Sequence, residues 1–334
     1  MKKLITILLI ASIIASCEKH FLSSDPANDP VSNFEHLWND VKNKYSYFEY
    51  KNVDWDEVYK TYRPLIHVGM SDKELFDVLA DMLFELKDGH VNITSPFDRS
   101  RNWDWYLDYP PNFNDNIIYR NYLGKNYWIT GPLHNQVIDD VLYIYYASFA
   151  STISQANIDE LMERAHGLKG IIIDIRSNGG GLSGNAEALA STLTDKPYHY
   201  GYSRIKNGPD NDDFSPWKEL TISPRSGNRF TGQVILLCNR NSYSSSNLFA
   251  QMMKSLPNAT LMGDQTGGGG GIPAFGELPN GWIYRFSASQ TVNPQGEHIE
   301  SGVPVDIALD LNPEDEANGV DTILETALDI LRNS

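Results

Sequence analysis

Cysteine is scarce in this sequence: there are two in 334 residues, and one of them is Cys17. A disulfide framework is thereby excluded, since one thiol of any pair would lie in an N-terminal leader. Basic side chains are also few. Lysine and arginine total 27 against 43 acids, a formal charge of −16, and so acidic a chain lacks the basic patches that phosphate contacts need, which argues against nucleic acid. The eight histidines include no HExxH and no paired spacing, so no metal is implied. No apolar run is long enough for an ordinary membrane span. What is present is a globular composition, 41% hydrophobic, with enough length for one large domain, a small one and a sizeable core.

The first stretch reads as a targeting segment. Met1-Lys-Lys3 is basic, Leu4 to Ala15 is apolar, and Ile14-Ala-Ser-Cys17 closes the run. This closing sequence resembles a bacterial lipobox, whose cysteine becomes the lipidated first residue. The alternative is a plain secretory signal with a chance cysteine. The lipobox resemblance implies loss of residues 1–16, acyl chains on Cys17 and attachment to the cell envelope, periplasmic or at the outer membrane, through that lipid anchor alone. Residues 17–30 then read as a flexible tether of Ser, Asp, Asn and Pro. An exported chain is not expected to use cytosolic cofactors such as CoA or NAD.

Residues 31–95 read as a small helical lead-in. Phe34, Leu37, Trp38 and Val41 share one helical face, and Val53 to Ile66 gives a second, less regular helix. Ser71-Asp-Lys-Glu74 is a capping box that starts a third, predicted to end at Lys87-Asp88-Gly89 by the C-terminal glycine rule. His90 follows. A histidine there, beside Asp88, suits a tuned base or a structural role, and the local sequence does not decide. Residues 96–140 read as a linker with strands and no clear PDZ-like module; the aromatic run Trp103-Asp-Trp-Tyr-Leu-Asp-Tyr-Pro-Pro111 suits a groove wall or a packed connector.

Residues 141–334 read as an α/β core. Gly170-Ile-Ile-Ile-Asp-Ile175 is a continuous apolar strand of the parallel type, followed by Arg176-Ser-Asn-Gly-Gly-Gly-Leu182 and then a helix. Strand, glycine loop and helix suit backbone N–H groups binding an anion, with an oxyanion hole and a weaker phosphate-loop reading as the candidates. Val234–Cys238 is a second buried strand. It leads into Asn241-Ser-Tyr-Ser-Ser-Ser-Asn247 and a helical pattern to Leu256, so the serines sit at a strand-to-helix turn. They suit either a nucleophile or a helix cap. Five consecutive glycines end Gly263-Asp-Gln-Thr-Gly-Gly-Gly-Gly-Gly271 and permit close backbone approach or a flap.

The ordered motifs resemble those of S41 serine peptidases. Asp174-Ile-Arg-Ser-Asn-Gly-Gly-Gly181 is similar to D-L-R-x-N-x-G-G, and Ser244-Ser-Ser-Asn247 to S-A-S-E. Gly263-Asp-Gln-Thr266 is similar to G-E-x-T, while Lys87-Asp-Gly-His90 and Glu300-Ser-Gly-Val-Pro-Val-Asp306 resemble segments of the tricorn-core branch. The resemblance implies a ClpP/crotonase-like α/β core with a helical N-terminal subdomain. It also implies Ser244 as nucleophile, His90 as base, Glu300 as supporting carboxylate, and backbone N–H groups of Gly180 and Ser245 as oxyanion hole. Peptides or unfolded proteins would be the substrates, with no cofactor. Three positions depart from the pattern. Gly269 stands where the processing branch has its lysine base, Gly89 where tricorn-type enzymes have a serine, and Asn247 in place of glutamate. Two other readings share the fold: a peptide-binding lipoprotein without chemistry, and a crotonase-type acyl-CoA enzyme.

Overall fold

The computed structural model of the protein describes residues 27–102 and 108–333. The leader, Cys17 and Trp103 to Leu107 lie outside that range. Side-chain caps set the first three helices. Asp29 caps α1 (Pro30–Lys44), accepting from Ser32 N–H at 3.0 Å with Pro30 pre-set at the first helical position. Asp54 caps α2 (Trp55–Tyr62), which continues into a 3₁₀ turn at Arg63–Leu65. The Ser71–Glu74 capping box starts α3 (Asp72–Phe84). That helix stops short of the expected glycine. Lys87, not Gly89, takes the left-handed conformation (φ 47°), because Asp88 turns the chain by accepting His90 N–H at 2.8 Å. Strand β1 (Asn92–Thr94) follows.

A helical turn at Asp115–Ile117 runs into a π-helical turn at Ile118–Leu123, and then strands dominate. Strands β2 (Trp128–Thr130), β3 (Leu133–Ile138) and β4 (Val141–Tyr146) form an antiparallel run. Helix α4 (Gln155–Ala165), strand β5 (Gly170–Asp174) and helix α5 (Ser183–Ala190) come next. They are followed by β6 (Tyr198–Ile205), β7 (Lys218–Ile222), β8 (Gln233–Cys238), helix α6 (Ser245–Lys254) and β9 (Ala259–Gly263). Strands β10 (Pro273–Glu277), β11 (Ile283–Ser287), β12 (Ser289–Val292) and β13 (Ile307–Ala308) precede helices α7 (Pro313–Ala317) and α8 (Thr322–Arg332).

One seven-stranded sheet has the order β13-β9-β8-β5-β4-β3-β2, parallel from β4 to β13. Its central strands are apolar on both faces because helices cover both. Along β5, Ile171 and Ile173 face the core under α4, α5 and α6, while Ile172 faces Leu324 and Leu328 of α8. Because β2 and β3 belong to this sheet, the expected boundary at residue 141 falls inside it. Two three-stranded sheets complete the fold, β1-β11-β10 and β12-β6-β7. The former carries Tyr284 and Phe286, with Trp282 just ahead of β11, into the same core as Phe34, Leu37 and Leu79 of the N-terminal helices. The loops after β5, β8 and β9 leave the carboxyl ends of parallel strands side by side, the usual place for a site in such sheets.

Candidate active site

The loop after β5 is built by its own motif. Arg176 is fully buried and its guanidinium holds Asp174 at 2.6 Å and Asp321 at 2.9 Å, which anchors the loop's first residue to α8. Asn178 braces the turn from within. Its Nδ2 donates to Tyr146 O at 2.7 Å, its Oδ1 accepts from Gly180 N–H at 3.0 Å, and its carbonyl accepts from Tyr243 N–H at 3.1 Å. The last bond joins this loop to the turn after β8. There Ser242 Oγ donates to Ile175 O at 2.8 Å, and Ser244 is forced to φ 59°, ψ −118°. A serine at positive φ stores strain, and such a strand-to-helix elbow projects the hydroxyl away from the backbone.

The serines therefore do not act as a simple cap. Ser244 occupies the N-cap position of α6 without a side-chain cap bond. Its Oγ lies 2.9 Å from His90 Nε2, although the two residues are 154 positions apart in the chain. The His90 ring packs against Tyr243 with centroids 4.9 Å apart, and Ser287 Oγ stands 3.4 Å from Nδ1. Burial, with Arg285 and Lys51 nearby, outweighs Asp88 and pushes the imidazole pKa down to about 4, so the ring is neutral at pH 7. Asp88 does not touch the ring: its carboxylate takes His90 N–H and the Tyr45 hydroxyl, the latter at 3.2 Å.

Two of the expected site residues have their polar groups engaged within the protein. Glu300 does not reach the imidazole. Its carboxylate is held instead by Lys51 Nζ at 2.9 Å and by Gly270 N–H at 2.8 Å. Burial pushes this carboxyl up, to about 7, against the pull of Lys51. The Gly180 amide, expected as an oxyanion donor, is committed to Asn178 Oδ1. Ser245 begins α6, so its N–H has no acceptor within the helix. Gly180 nonetheless has to be glycine. A Cβ there would lie 2.6 Å from Tyr243 O and 2.9 Å from Ser245 N, at φ +93°. By spacing, Gly179, Gly181 and Gly184 also satisfy GxGxxG, yet the Gly180 and Leu182 amides are used inside the protein.

Ser244 and His90 open onto a cavity of about 880 Å³ walled by Leu182, Tyr200, Leu220, Leu248, Ile272 and Phe275, with Arg285 and Glu187 as its charged members. A mostly apolar trough beside a hydroxyl–imidazole pair suits acyl transfer on a peptide. The family comparison agrees with that chemistry. The model of peptidase family S41 matches residues 140–309, about half of the chain. The chain belongs to peptidase family S41. The Tricorn protease C1 domain matches residues 26–84. A candidate peptidase from Parabacteroides merdae is 42% identical with a TM-score of 0.86, over 91% of this chain and 97% of its own. A "probable CtpA-like serine protease" of Staphylococcus aureus is 26% identical over 47% of this chain, which spans only 31% of that relative's length. Mature CPAF, 12% identical over 91% of this chain and 96% of its own with a TM-score of 0.67, is similar in fold.

The departures from the S41 pattern have local explanations. Gly269 leaves no room for a lysine: a Cβ would lie 2.5 Å from the Tyr243 ring, at φ +77°. Where tricorn-type enzymes have a serine before the histidine, this S41 chain has Ser287 beside Nδ1 from a distant strand. Asn247 ties α6 down, donating to Ile299 O at 2.9 Å and accepting from Thr266 Oγ1 at 2.6 Å. Lys51, Ser287, Tyr243 and Asn178 all hold the site and were not singled out from the sequence. Asn178 and Tyr243 lie inside the quoted motifs, and alternation along β11 puts Ser287 with Arg285 on the face opposite Tyr284 and Phe286; Lys51 has no such local signal.

Proposed function

We propose that the protein is a serine endopeptidase acting on peptides or unfolded proteins through an acyl-enzyme. The observation that carries this reading is the 2.9 Å separation of Ser244 Oγ and His90 Nε2. A neutral imidazole with its proton on Nδ1, facing Ser287 Oγ, accepts the Ser244 proton at Nε2 as the oxygen attacks the carbonyl. The imidazolium then returns that proton to the leaving amine, and water repeats the sequence on the ester. Ser245 N–H stabilises the oxyanion. Gly180 N–H joins it by sharing its proton between Asn178 Oδ1 and the substrate oxygen; one such donor is typically worth about 3 kcal/mol of barrier. Glu300 acts on the loop beside Ser244 and not on the ring.

Labelling with a fluorophosphonate tests the reading. Wild type is expected to label and to hydrolyse an unfolded protein such as casein. Ser244→Ala is expected to do neither while keeping its denaturation midpoint, and His90→Gln to lose at least about 100-fold in rate. A folded wild type that neither labels nor cleaves would favour the second reading, a peptide-binding protein of the same fold, for which the committed Gly180 amide speaks. Export as a lipoprotein belongs to the same proposal and rests on the leader and Cys17. Acyl chains on Cys17 in the membrane-associated protein, lost with Cys17→Ser, are the expected result by mass spectrometry.

A further inference from the structure

We propose that Lys51 is a positioning residue for the hydrolytic pair, its single ammonium tying the turn that carries His90 to the glycine loop that holds Ser244. The proposal rests on the peptidase reading of this site. Lys51 Nζ donates to the Lys87 carbonyl at 2.9 Å and pairs with Glu300 Oε1 at 2.9 Å. From Lys87, itself at φ 47°, the Asp88 turn leads directly to His90. From Glu300 the contacts run the other way. Oε2 accepts from Gly270 N–H at 2.8 Å, the Glu300 carbonyl accepts from Gly269 N–H at 3.1 Å, and Gly268 O accepts from Ser244 N–H at 2.9 Å. The Ser244–His90 contact closes this circuit. Along it, Lys51 is the link between the segment that bears the base and the loop that supports the nucleophile.

The chemistry of the ammonium fits the role. Neither the ionised Glu300 nor the Lys87 carbonyl can bridge to the other, since both are then acceptors, and a donor with three protons serves both. Burial works against the Lys51 charge, but the Glu300 and Asp88 carboxylates overcome it and hold its pKa above the ordinary lysine value. The same cation favours the ionised form of Glu300, which also faces Asp88, Tyr45, Tyr47 and Tyr243. Without Lys51 the carboxyl is buried beside Asp88 with no cation, takes up a proton at higher pH, and loosens its hold on Gly270. The His90 turn loses its tie at Lys87 at the same time.

The test uses the full chain with fluorophosphonate as the probe, varied in concentration and pH, for wild type, Lys51→Met, Lys51→Arg and Ser244→Ala. Lys51→Met is expected to lower the maximal labelling rate by about 10- to 100-fold while the half-saturating probe concentration stays the same, and to raise the acid limb of the pH profile. Arginine supplies two donors to the same acceptors, and Lys51→Arg is expected to recover the rate to within about threefold. Should Lys51→Met fail to fold, the neutral pair Lys51→Met/Glu300→Gln replaces it and is expected to remain slow. Wild-type rate and pH profile in either variant overturns the proposal. Amide hydrogen exchange gives a readout independent of chemistry: faster exchange confined to residues 87–90 and 268–271 supports the tie, and unchanged exchange there overturns it. If wild type itself does not label, the peptidase reading fails, and the exchange measurement still decides whether Lys51 holds the two segments together.

Discussion

At the scale of single residues, two buried titrations work against each other. His90 stays unprotonated down to about pH 4, whereas an unfolded histidine takes its proton near 6.5. As pH falls through that window the unfolded state binds the proton first, so His90 removes stability, about 2 kcal/mol by pH 5. Glu300 has the opposite sign. Its folded carboxyl takes a proton near 7 and its unfolded one near 4.5, so the same fall in pH adds stability. The expected wild-type response between pH 7 and 5 is therefore shallow. His90→Gln should gain stability on acidification relative to wild type, and Glu300→Gln should lose it, as read by denaturant midpoints at the two pH values. Activity separates them differently. If hydrolysis needed only a neutral imidazole, kcat/KM would fall only toward pH 4. Because the ionised Glu300 holds the Gly270 amide, the acid limb is expected near 7, and Glu300→Gln should show a lower rate whose limb moves toward 4.

Elements differ in how far their sequence betrays them. Strands β5 and β8 were legible because helices cover both faces of the sheet, leaving apolar runs that admit little else. The pairing of Ser244 with a helix start was legible for a similar reason, as a polar cluster between a buried strand and a helical period. Strands β6, β7 and β10 were not legible: they are half-exposed and alternate poorly. Nor was the end of α3, since the Asp88–His90 turn and the Tyr45 hydroxyl replace the glycine cap that the local pattern favours. The place of Glu300 depended on a partner far away in sequence, Lys51, and that of the Gly180 amide on how the Asn178 side chain folds back onto its own loop. The loop after β5 offers the sharpest test at this scale. Gly180→Ala would drive a methyl group into the Tyr243 carbonyl and the Ser244 side chain. It is expected to cost several-fold more in labelling rate than in fraction folded, about 1–3 kcal/mol of stability, because the strain falls on the elbow itself.

Across the whole molecule, His90 comes from the N-terminal half and Ser244 from the C-terminal half, so their meeting depends on how those halves pack. They share a core. Trp282, 4% exposed, packs on Phe76 of α3 and on Phe97, each with ring centroids 5.8 Å apart, and the strand it leads into, β11, pairs with β1 just beyond His90. Removing that indole opens a cavity worth about 3–5 kcal/mol. The cavity lies under the strand that sets Ser287 and Arg285 beside the ring. Leu328 of α8 is as deeply buried, on the opposite face of the large sheet, and Leu328→Ala costs about 2–5 kcal/mol. Equal losses of stability should then have unequal consequences for chemistry. Trp282→Ala is expected to slow fluorophosphonate labelling per folded molecule by about tenfold or more. Leu328→Ala is expected to leave it within about twofold, since the sheet insulates the site from α8. Labelling rates corrected for the folded fraction at each denaturant midpoint check this, and a Leu328→Ala rate that falls as far as that of Trp282→Ala would mean that the N-terminal core has no special hold on His90.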